Sequence, residues 1–506
     1  MKNYVVGIDA GTSIVKSVIF NLRLDEIAKT ETKLEVETPQ SEWSEIDMNR
    51  LWEIIKSSIK TSIKNSGIYS KEVAAVSITG QGSGCWMIDR DGNPVRKAII
   101  WTDSRANVIT NAWKKSGIIK KAFAICRSVQ ISGVQGPIVK WLKIHEPEAL
   151  EKARHIFYCK DWIRYKFTGL ICTDGSDTSQ TLLDVARYNY SDELFNLYGI
   201  EEYRKLFPEI IPKTGIVGKL KPDIALEIGL EPEIPVVSAP LDGISSGIGV
   251  GCFKKGQAFT ILGTTVSNDV IIDDLSDQTD CVGMTFCFGF KGLWIRSLNP
   301  MCGTPNIDWY IREFGVLDRI EANKEKKNLF EYLNSVIEKI PEGSLIYHPF
   351  LSPAGERAPF VKENARAQLF GLNYNHTRHH ILKAIFEGMA FSIKDCYEKI
   401  SFPVSEIMLS GGGAKDRVWP QIIANVTGKT IKTTSGNEFG AKGSALIALV
   451  SLGIYKSYDE AKASTIEINR IFKPDKNSFE KYSRIFKIYE NIYKKMWNQW
   501  DYFKKV

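Results

Sequence analysis

The sequence predicts a duplicated α/β protein built from two similar cores. A strand, a turn of glycine and hydroxyl residues and a second strand follow one another around residues 9–13. The same strand–turn–strand pattern recurs around residues 262–265, about 250 residues later. Between and after these turns, apolar strands alternate with amphipathic helices, which is typical of α/β domains. With 506 residues the chain exceeds a single hydrophobic core, so we expect about two to four domains.

Composition excludes several functional classes. The chain is 43% apolar and 25% charged with a net charge of +7, which is ordinary for a globular protein. Its nine cysteines form no CxxC pair, and its six histidines form no HExxH motif, so we expect free thiols and no structural zinc. We find no nucleic-acid motif, no apolar run that would span a membrane and no signal peptide. These features predict a cytoplasmic protein.

The first turn combines a carboxylate with phosphate-binding groups. Asp9 ends an apolar strand, and Gly11, Thr12 and Ser13 form the turn before the chain returns. Main-chain N–H groups and hydroxyls at such a turn can bind phosphate oxygens, and Asp9 can hold Mg²⁺ through water. An ordinary hairpin with a capping aspartate would show the same residues, so this motif alone leaves both interpretations open.

Two further segments offer groups for a polar ligand. Gly80–Gly84 follows a buried strand and contains Gln81 and Ser83, which are suited to hydrogen bonds with hydroxyls. Trp101 and Asp103 end another strand and are candidates for the wall of the same site. An Asp–Arg pair two residues apart, such as Asp103 and Arg105, is more often a structural salt bridge than a catalytic couple. The polar run at residues 173–180 can contact a sugar or form only a loop, and the loop is favoured.

The centre of the chain carries the candidate catalytic group. An apolar strand delivers Asp242, and a segment of small residues beginning at Gly243 follows it. The next strand ends in Gly263, Thr264 and Thr265. An aspartate before small residues is often only a helix N-cap. Together with the first turn, however, this layout suits phosphoryl transfer, which needs two phosphate-binding hairpins at a shared cleft and a base, Asp242, to take the acceptor's proton.

The second half ends with a glycine triplet and several helices. Gly411–Gly413 follow a strand and allow a flat ring or a ribose to lie on the main chain. Helical spacing predicts one helix in the first half, over 48–66, a helix over 382–396 in the second half, and a final amphipathic helix over 478–506.

These motifs, taken together, resemble the FGGY carbohydrate kinases, a family with duplicated actin-like ATPase (ribonuclease H-like) domains around an interdomain cleft. The resemblance covers roughly residues 3–455. It is carried by eight blocks: 7–16, 80–84, 101–105, 160–162, Asp242 with its small-residue segment, 263–265, 411–414, and 367–372 with 380–387.

The resemblance implies a role for each matching residue. Asp242 would be the general base on the acceptor hydroxyl, and Asp9 would organise Mg²⁺, the implied cofactor beside ATP. The implied ATP contacts are Gly11, Thr12, Ser13, Gly263, Thr264, Thr265, Asp308, Gly412 and Gly413. The implied acceptor contacts are Gln81, Ser83, Trp101, Asp103, Asp242 and Gly243.

The implied acceptor is a small polyol or ketose. Typical D-xylulose kinases carry Met-His where this chain has Gly82-Ser83, and glycerol kinases carry an Arg-Glu pair that is absent here. The segments 157–162, 306–309 and 347–366 look most like the erythritol kinase and L-xylulose kinase branch. D-xylulose, another pentulose and glycerol remain alternative acceptors.

The implied domains are residues 1–245 with the acceptor site and the first phosphate hairpin, 246–455 with the nucleotide site, and a helical extension at 456–506. A homodimer is possible, with no nucleic-acid or membrane partner. A different class, a non-catalytic actin-like ATPase switch or a sugar sensor, shares this fold. An acetate-kinase-like enzyme would need an arginine pair for its carboxylate substrate, and the sequence shows none.

Overall fold

The computed structural model describes residues 2–212, 214–276, 280–290 and 292–503. The chain forms two compact units that are interleaved in sequence. The first contains residues 1–255, 272–295 and 436–467, and the second contains 256–271, 296–435 and 468–506. These units differ from the domains expected from the sequence, which follow one another along the chain with boundaries at residues 245 and 455. Those domain boundaries stay a prediction.

The strands are β1 Tyr4–Ala10, β2 Ile14–Asn21, β3 Glu26–Lys33, β4 Glu45–Ile46, β5 Val73–Gly80, β6 Trp86–Ile88, β7 Ala98–Ile99, β8 His155–Phe157, β9 Thr173–Asp174, β10 Leu183–Asp184, β11 Asn189–Tyr190, β12 Ile210–Ile211, β13 Gly215–Lys219, β14 Pro235–Ser238, β15 Ala258–Leu262, β16 Val266–Ile272, β17 Met284–Cys287, β18 Trp294–Leu298, β19 Ile346–His348, β20 Gln368–Phe370, β21 Glu406–Ser410, β22 Thr430–Thr434 and β23 Ile468–Phe472.

The helices are α1 Met48–Ser66, α2 Asn107–Ser116, α3 Ile118–Cys126, α4 Gln135–His145, α5 Pro147–Lys152, α6 Cys159–Thr168, α7 Gly175–Thr178, α8 Asp192–Tyr198, α9 Pro222–Ile228, α10 Asp242–Gly249, α11 Pro305–Lys324, α12 Leu329–Ile337, α13 Arg378–Lys399, α14 Trp419–Thr427, α15 Phe439–Ser451, α16 Tyr458–Thr465, α17 Lys476–Met496 and α18 Gln499–Phe503. Three short 3₁₀ helices lie at Ser70–Glu72, Glu201–Leu206 and Gly412–Lys415.

The two units repeat one sheet topology. The first sheet has six strands in the order β3–β2–β1–β5–β14–β13, and the second has seven, of which β18–β16–β15–β21–β22–β23 repeat that order. β1, β5 and β14 are parallel neighbours, as are β15, β21 and β22. β1 pairs with β2 in antiparallel fashion, and β15 does so with β16. The predicted duplication of an α/β core is confirmed.

The central strand of the first sheet explains why its sequence is almost entirely apolar. All eight residues of β5 are buried, because helices cover both faces of a parallel sheet. Helix α1 contributes Leu51, Ile55 and Ile59 to this core. The helix begins where the Asp47 side chain accepts the N–H of Arg50, and it ends at Gly67 in the left-handed conformation. The predicted helix over 48–66 is confirmed.

Close contact between α10 and α15 fixes the helix that begins with Asp242. A Cβ atom on Gly443 would lie 1.9 Å from the carbonyl oxygen of Ser245, and one on Gly249 would lie 2.1 Å from that of Phe439. The Ser444 hydroxyl also lies 2.9 Å from that of Ser77 on β5. The two helices therefore touch backbone to backbone, which only glycine allows at these positions.

Several element boundaries differ from the sequence prediction. The run at 173–180, predicted to be a loop, contains strand β9 and the one-turn helix α7. The C-terminal helix is divided into α17 and α18, and its last three residues lie outside the described part of the chain. Helix α17 is integral to the second unit, because its Tyr482 and Tyr493 hydroxyls bond to the buried carboxylates of Glu387 and Asp395. Among the described helices, none combines the length and the apolar character needed to cross a membrane.

We expect Gly443→Ala to destabilise the protein by about 3 kcal/mol, because its methyl group would overlap the Ser245 carbonyl. Thermal unfolding measures this loss. Gly315→Ala on α11 is the matched control, since its Cβ would meet only Ile311 at 3.4 Å, and it should be neutral or slightly stabilising. Equal melting temperatures for both variants would contradict the close helix contact.

Candidate active site

Three strand ends meet at one edge of the first sheet. β1, β5 and β14 are parallel neighbours, so the residues that follow them lie side by side. β1 ends beside Asp9, β5 leads into the loop Gln81–Gly84, and β14 leads to Asp242. The Thr79 hydroxyl at the end of β5 donates to the Pro240 carbonyl at 2.6 Å, which ties the β5 and β14 ends together.

Asp242 is a half-buried carboxylate with a raised pKa. It is the first residue of α10, and its only hydrogen bond in the described residues comes from the N–H of Gly243 at 2.7 Å. Its pKa is raised to about 7, chiefly by burial and also by the nearby charges of Asp9 and Asp177, while the Gly243 N–H opposes the rise. A carboxylate with this pKa accepts a proton readily near neutral pH.

Asp9 is a second uncompensated carboxylate at this edge. Burial raises its pKa to about 6, Lys16 opposes the rise, and Glu438 adds to it. Among the described residues, the ion pair of Lys16 is with Glu438, at 2.7 Å, and Lys16 acts on Asp9 only through its charge. The Oδ1 atom of Asp9 is buried and, within the described part of the chain, has no hydrogen-bond partner. A hydrated Mg²⁺ would satisfy such an oxygen, so the residues present fit this cofactor.

Hydrogen bonds join two predicted ligand-binding segments: the turn at residues 11–13, called the phosphate turn, and the loop Gln81–Gly84, called the acceptor loop. Trp101 donates its indole N–H to the Thr12 hydroxyl at 2.8 Å, and Thr12 donates to Gln81 Oε1 at 3.4 Å. The Nε2 atom of Gln81 is buried and has no partner among the described residues. An amide donor in this state is available to a ligand oxygen. Ser13 is exposed at the tip of the turn.

Asp103 is engaged by protein groups. Both of its oxygens accept from Arg105, at 2.8 to 3.0 Å, and one also accepts the Ser44 N–H at 2.7 Å. The Arg105 guanidinium is in turn stacked on the Trp43 ring, 3.8 Å from its centroid. This is the salt bridge that the sequence left as an alternative, and a substrate contact by Asp103 stays a prediction.

A buried ion cluster beneath the acceptor loop was not predicted. Lys160 pairs with Asp174 at 2.6 Å, Asp177 at 2.9 Å and Asp161 at 3.3 Å, and all four side chains are almost fully buried. Asp177 also accepts the Ser83 N–H at 3.0 Å. The two aspartates at 174 and 177 lie in the run predicted to be a loop. The sequence shows the spacing of these two aspartates, but it does not show that Lys160 pairs with them.

In the second unit, two predicted nucleotide segments lie next to each other. β15 and β21 are parallel neighbours, so the turn Gly263–Thr265 and the triplet Gly411–Gly413 follow adjacent strand ends. Gly411 has φ +83°, and a Cβ there would lie 2.5 Å from the Leu262 carbonyl, so glycine is required. Gly412 faces open space, whereas Gly413 lies against the Trp419 ring.

A helix start adjoins the same turn. The Thr304 N–H donates to the Gly263 carbonyl at 2.9 Å, and α11 begins at the next residue. The N-terminus of a long helix favours phosphate through its unpaired N–H groups and its dipole. Asp308 is exposed in the first turn of α11, where it can reach a ligand.

Family comparison agrees with this geometry. The family model described as "FGGY family of carbohydrate kinases, N-terminal domain" matches residues 4–249, and the corresponding C-terminal domain matches residues 294–452. The chain belongs to the FGGY family of carbohydrate kinases. It is therefore a phosphotransferase with a small sugar or polyol substrate, and kinases of this family use ATP.

Individual relatives carry related names. The chain is 28% identical over 499 residues to a xylulose kinase of Bacillus subtilis (97% of this chain, 96% of the relative). It is 29% identical over 500 residues to a probable L-xylulose kinase of Haemophilus influenzae (96% and 98%), and 26% identical over 508 residues to an erythritol kinase of Brucella abortus (98% and 97%). The structure of a xylulose kinase from Lactobacillus acidophilus matches with a TM-score of 0.90 at 20% identity, covering 99% of both chains, which confirms the FGGY kinase fold.

The predicted residues thus form two groups, each within one unit. The first unit gathers Asp9, Gly11, Thr12, Ser13, Gln81, Ser83, Trp101, Asp242 and Gly243 at one sheet edge. The second gathers Gly263, Thr264, Thr265, Asp308, Gly412 and Gly413 at another. The roles of these residues stay predictions.

We expect Asp242→Asn to be more stable than the parent at pH 8 and to lose this advantage towards pH 4. The folded-state pKa of about 7 lies above the ordinary 3.8, so the folded protein binds the proton more tightly. The group's contribution to the free energy of unfolding therefore declines as the pH rises from 4 to 7. At pH 8 the difference should be about 2–4 kcal/mol. Melting temperatures across this range measure it, and a pH-independent difference would contradict the raised pKa.

Proposed function

We propose that the enzyme transfers the terminal phosphoryl group of ATP to a terminal hydroxyl of a four- or five-carbon polyol or ketose. The observation that carries the proposal is Asp242, a half-buried carboxylate whose pKa is raised to about 7, at the start of α10 and near the acceptor loop. Gln81 and Ser83 supply neutral hydrogen-bonding groups next to it, which suits a polyhydroxylated substrate better than a charged one.

Asp242 is proposed to take the proton from the acceptor hydroxyl while the oxygen attacks the terminal phosphorus, with ADP as the leaving group. The Gly243 N–H keeps the carboxylate oriented towards the acceptor. The hydroxyl of Thr12 and the main chain of the turn at 11–13 would bind phosphate oxygens from the first unit. The turn Gly263–Thr265 and the start of α11 would bind those of ATP from the second.

Mg²⁺ is the proposed cofactor, and it would neutralise charge on the phosphate oxygens. Asp9 would hold it, directly or through water. Support comes from the buried Oδ1 atom of Asp9, which has no hydrogen-bond partner among the described residues.

Erythritol and L-xylulose are the favoured acceptors. Gly82 supports this choice, because a Cβ at this position would lie 3.0 Å from both Asp177 Oδ1 and Leu241 Cδ2. A methionine, as in typical D-xylulose kinases, would displace one of these groups. D-xylulose remains the second candidate, since relatives named xylulose kinase match almost the whole chain. A homodimer and a cytoplasmic location stay predictions.

The decisive experiment measures ADP release with Mg²⁺-ATP and a panel of erythritol, L-xylulose, D-xylulose, L-ribulose, D-ribulose and glycerol. We expect one or two acceptors to stimulate the rate. Asp242→Asn should lower kcat roughly 10³-fold while ATP still binds, because only the base is lost. Asp184→Asn, an aspartate that caps a turn through the N–H groups of Ala186 and Arg187, serves as the control. An Asp242→Asn enzyme with most of its activity would refute the assignment of the base.

Activity should also depend on pH through the same group. Since Asp242 must be ionised to accept a proton, kcat/KM for the acceptor should fall about tenfold per unit below pH 7. Steady-state rates between pH 5 and 9 test this expectation. A profile that stays flat down to pH 5 would show that no group with a pKa near 7 acts as the base.

A further inference from the structure

We propose that Asp177 is a positioning residue of the acceptor site, which holds the loop Gln81–Gly84 through the Ser83 N–H and links that loop to the start of α10. This inference rests on the proposed function and deepens it. It concerns a residue that does not itself touch the reacting atoms but sets where the acceptor loop lies relative to Asp242.

The acceptor loop needs an external restraint. Ser83 has φ +63° and Gly84 has φ +77°, so two consecutive residues are left-handed. For a residue with a side chain, this conformation is unfavourable and persists only where the surroundings enforce it. Asp177 Oδ1 accepts the Ser83 N–H at 3.0 Å, and the Ser83 hydroxyl donates to Gln180 Oε1. Both restraints come from one segment, residues 177–180.

The restraining carboxylate is itself held rigidly. Its Oδ2 atom lies 2.9 Å from the ammonium of Lys160, which also binds Asp174 and Asp161. Arg164 pairs with Asp161 at 3.1 Å, so three carboxylates share two cations in a buried cluster. Burial raises the pKa of Asp177 to about 7, although Lys160 opposes the rise. The cluster fixes the carboxylate in place and leaves one negative charge in excess.

The same short helix also holds the residue before the base. The N–H of Leu241 donates to the Ser176 hydroxyl at 3.1 Å, and Leu241 immediately precedes Asp242. A Cβ atom on Gly82 would lie 3.0 Å from both Asp177 Oδ1 and Leu241 Cδ2, so the loop runs close to both residues. Helix α7 therefore connects the acceptor loop and the start of α10, and a change at Asp177 should alter the distance between acceptor and base.

The test compares Asp177→Ala, Asp177→Asn and Thr178→Val. The alanine variant loses the acceptor of the Ser83 N–H, whereas asparagine keeps an oxygen there without the charge. Thr178→Val is the matched control, because it removes a hydrogen bond to the Asp174 carbonyl within the same helix without contacting the loop. We expect Asp177→Ala to raise KM for the acceptor at least about tenfold with KM for ATP unchanged, and Asp177→Asn to restore most of that loss.

Two further readouts separate positioning from stability. Hydrogen–deuterium exchange of peptides that contain residues 80–84 should be faster in Asp177→Ala and unchanged in Thr178→Val. In Asp177→Asn the acid limb of the kcat/KM profile should move to lower pH, because a negative charge near Asp242 is removed.

The outcomes of the test are distinguishable. Unchanged exchange in the loop of Asp177→Ala, or equal effects on the KM values of acceptor and ATP, would overturn the positioning role. Failure of every acceptor to stimulate the parent enzyme would count against the proposed function instead, and the exchange measurement would still decide whether Asp177 holds the loop.

Discussion

The parallel pairing of β1, β5 and β14 is the constraint on which the chemistry of the first unit depends. Hydrogen bonds between these strands bring three separate segments of the sequence to one sheet edge, where Asp9, the acceptor loop and Asp242 follow the strand ends. The second unit uses the same pairing of β15 with β21 to align its phosphate turn and its glycine triplet. One topology therefore builds two different sites, because the residues after the strands differ.

At the edge of the first sheet, the stability of the fold and the proposed chemistry place opposite demands on the carboxylates. Asp177 is buried, Asp9 and Asp242 are half-buried, and all three have pKa values raised to about 6 or 7, so their charged forms disfavour the fold near neutral pH. The structure retains them by placing strong restraints nearby: the backbone contact between α10 and α15, and the cluster around Lys160. Carboxylates with raised pKa values are common at functional sites, which agrees with the roles proposed for Asp9 and Asp242.

The glycine residues divide into two groups with different physical roles. Gly249 and Gly443 allow two helices to touch, and Gly411 takes a left-handed conformation that brings the chain against Leu262. Gly412, in contrast, faces open space and leaves the main chain accessible. A glycine-rich segment in the sequence does not reveal to which group it belongs, because the neighbour that requires the glycine comes from a distant part of the chain.

The sequence by itself determined the duplicated strand–turn–strand pattern, the helix over 48–66 and the acidic residues at two strand ends. The order of its motifs also determined the family. These features are local, since they depend on periodicity and on turn chemistry within a few residues. Only the tertiary structure decided that Asp103 pairs with Arg105 and Ser44, that α15 lies on β1 and β5, and that the run at 173–180 supports the acceptor loop. Those contacts join residues separated by two to several hundred positions, and their partners are selected by strand order and burial rather than by spacing.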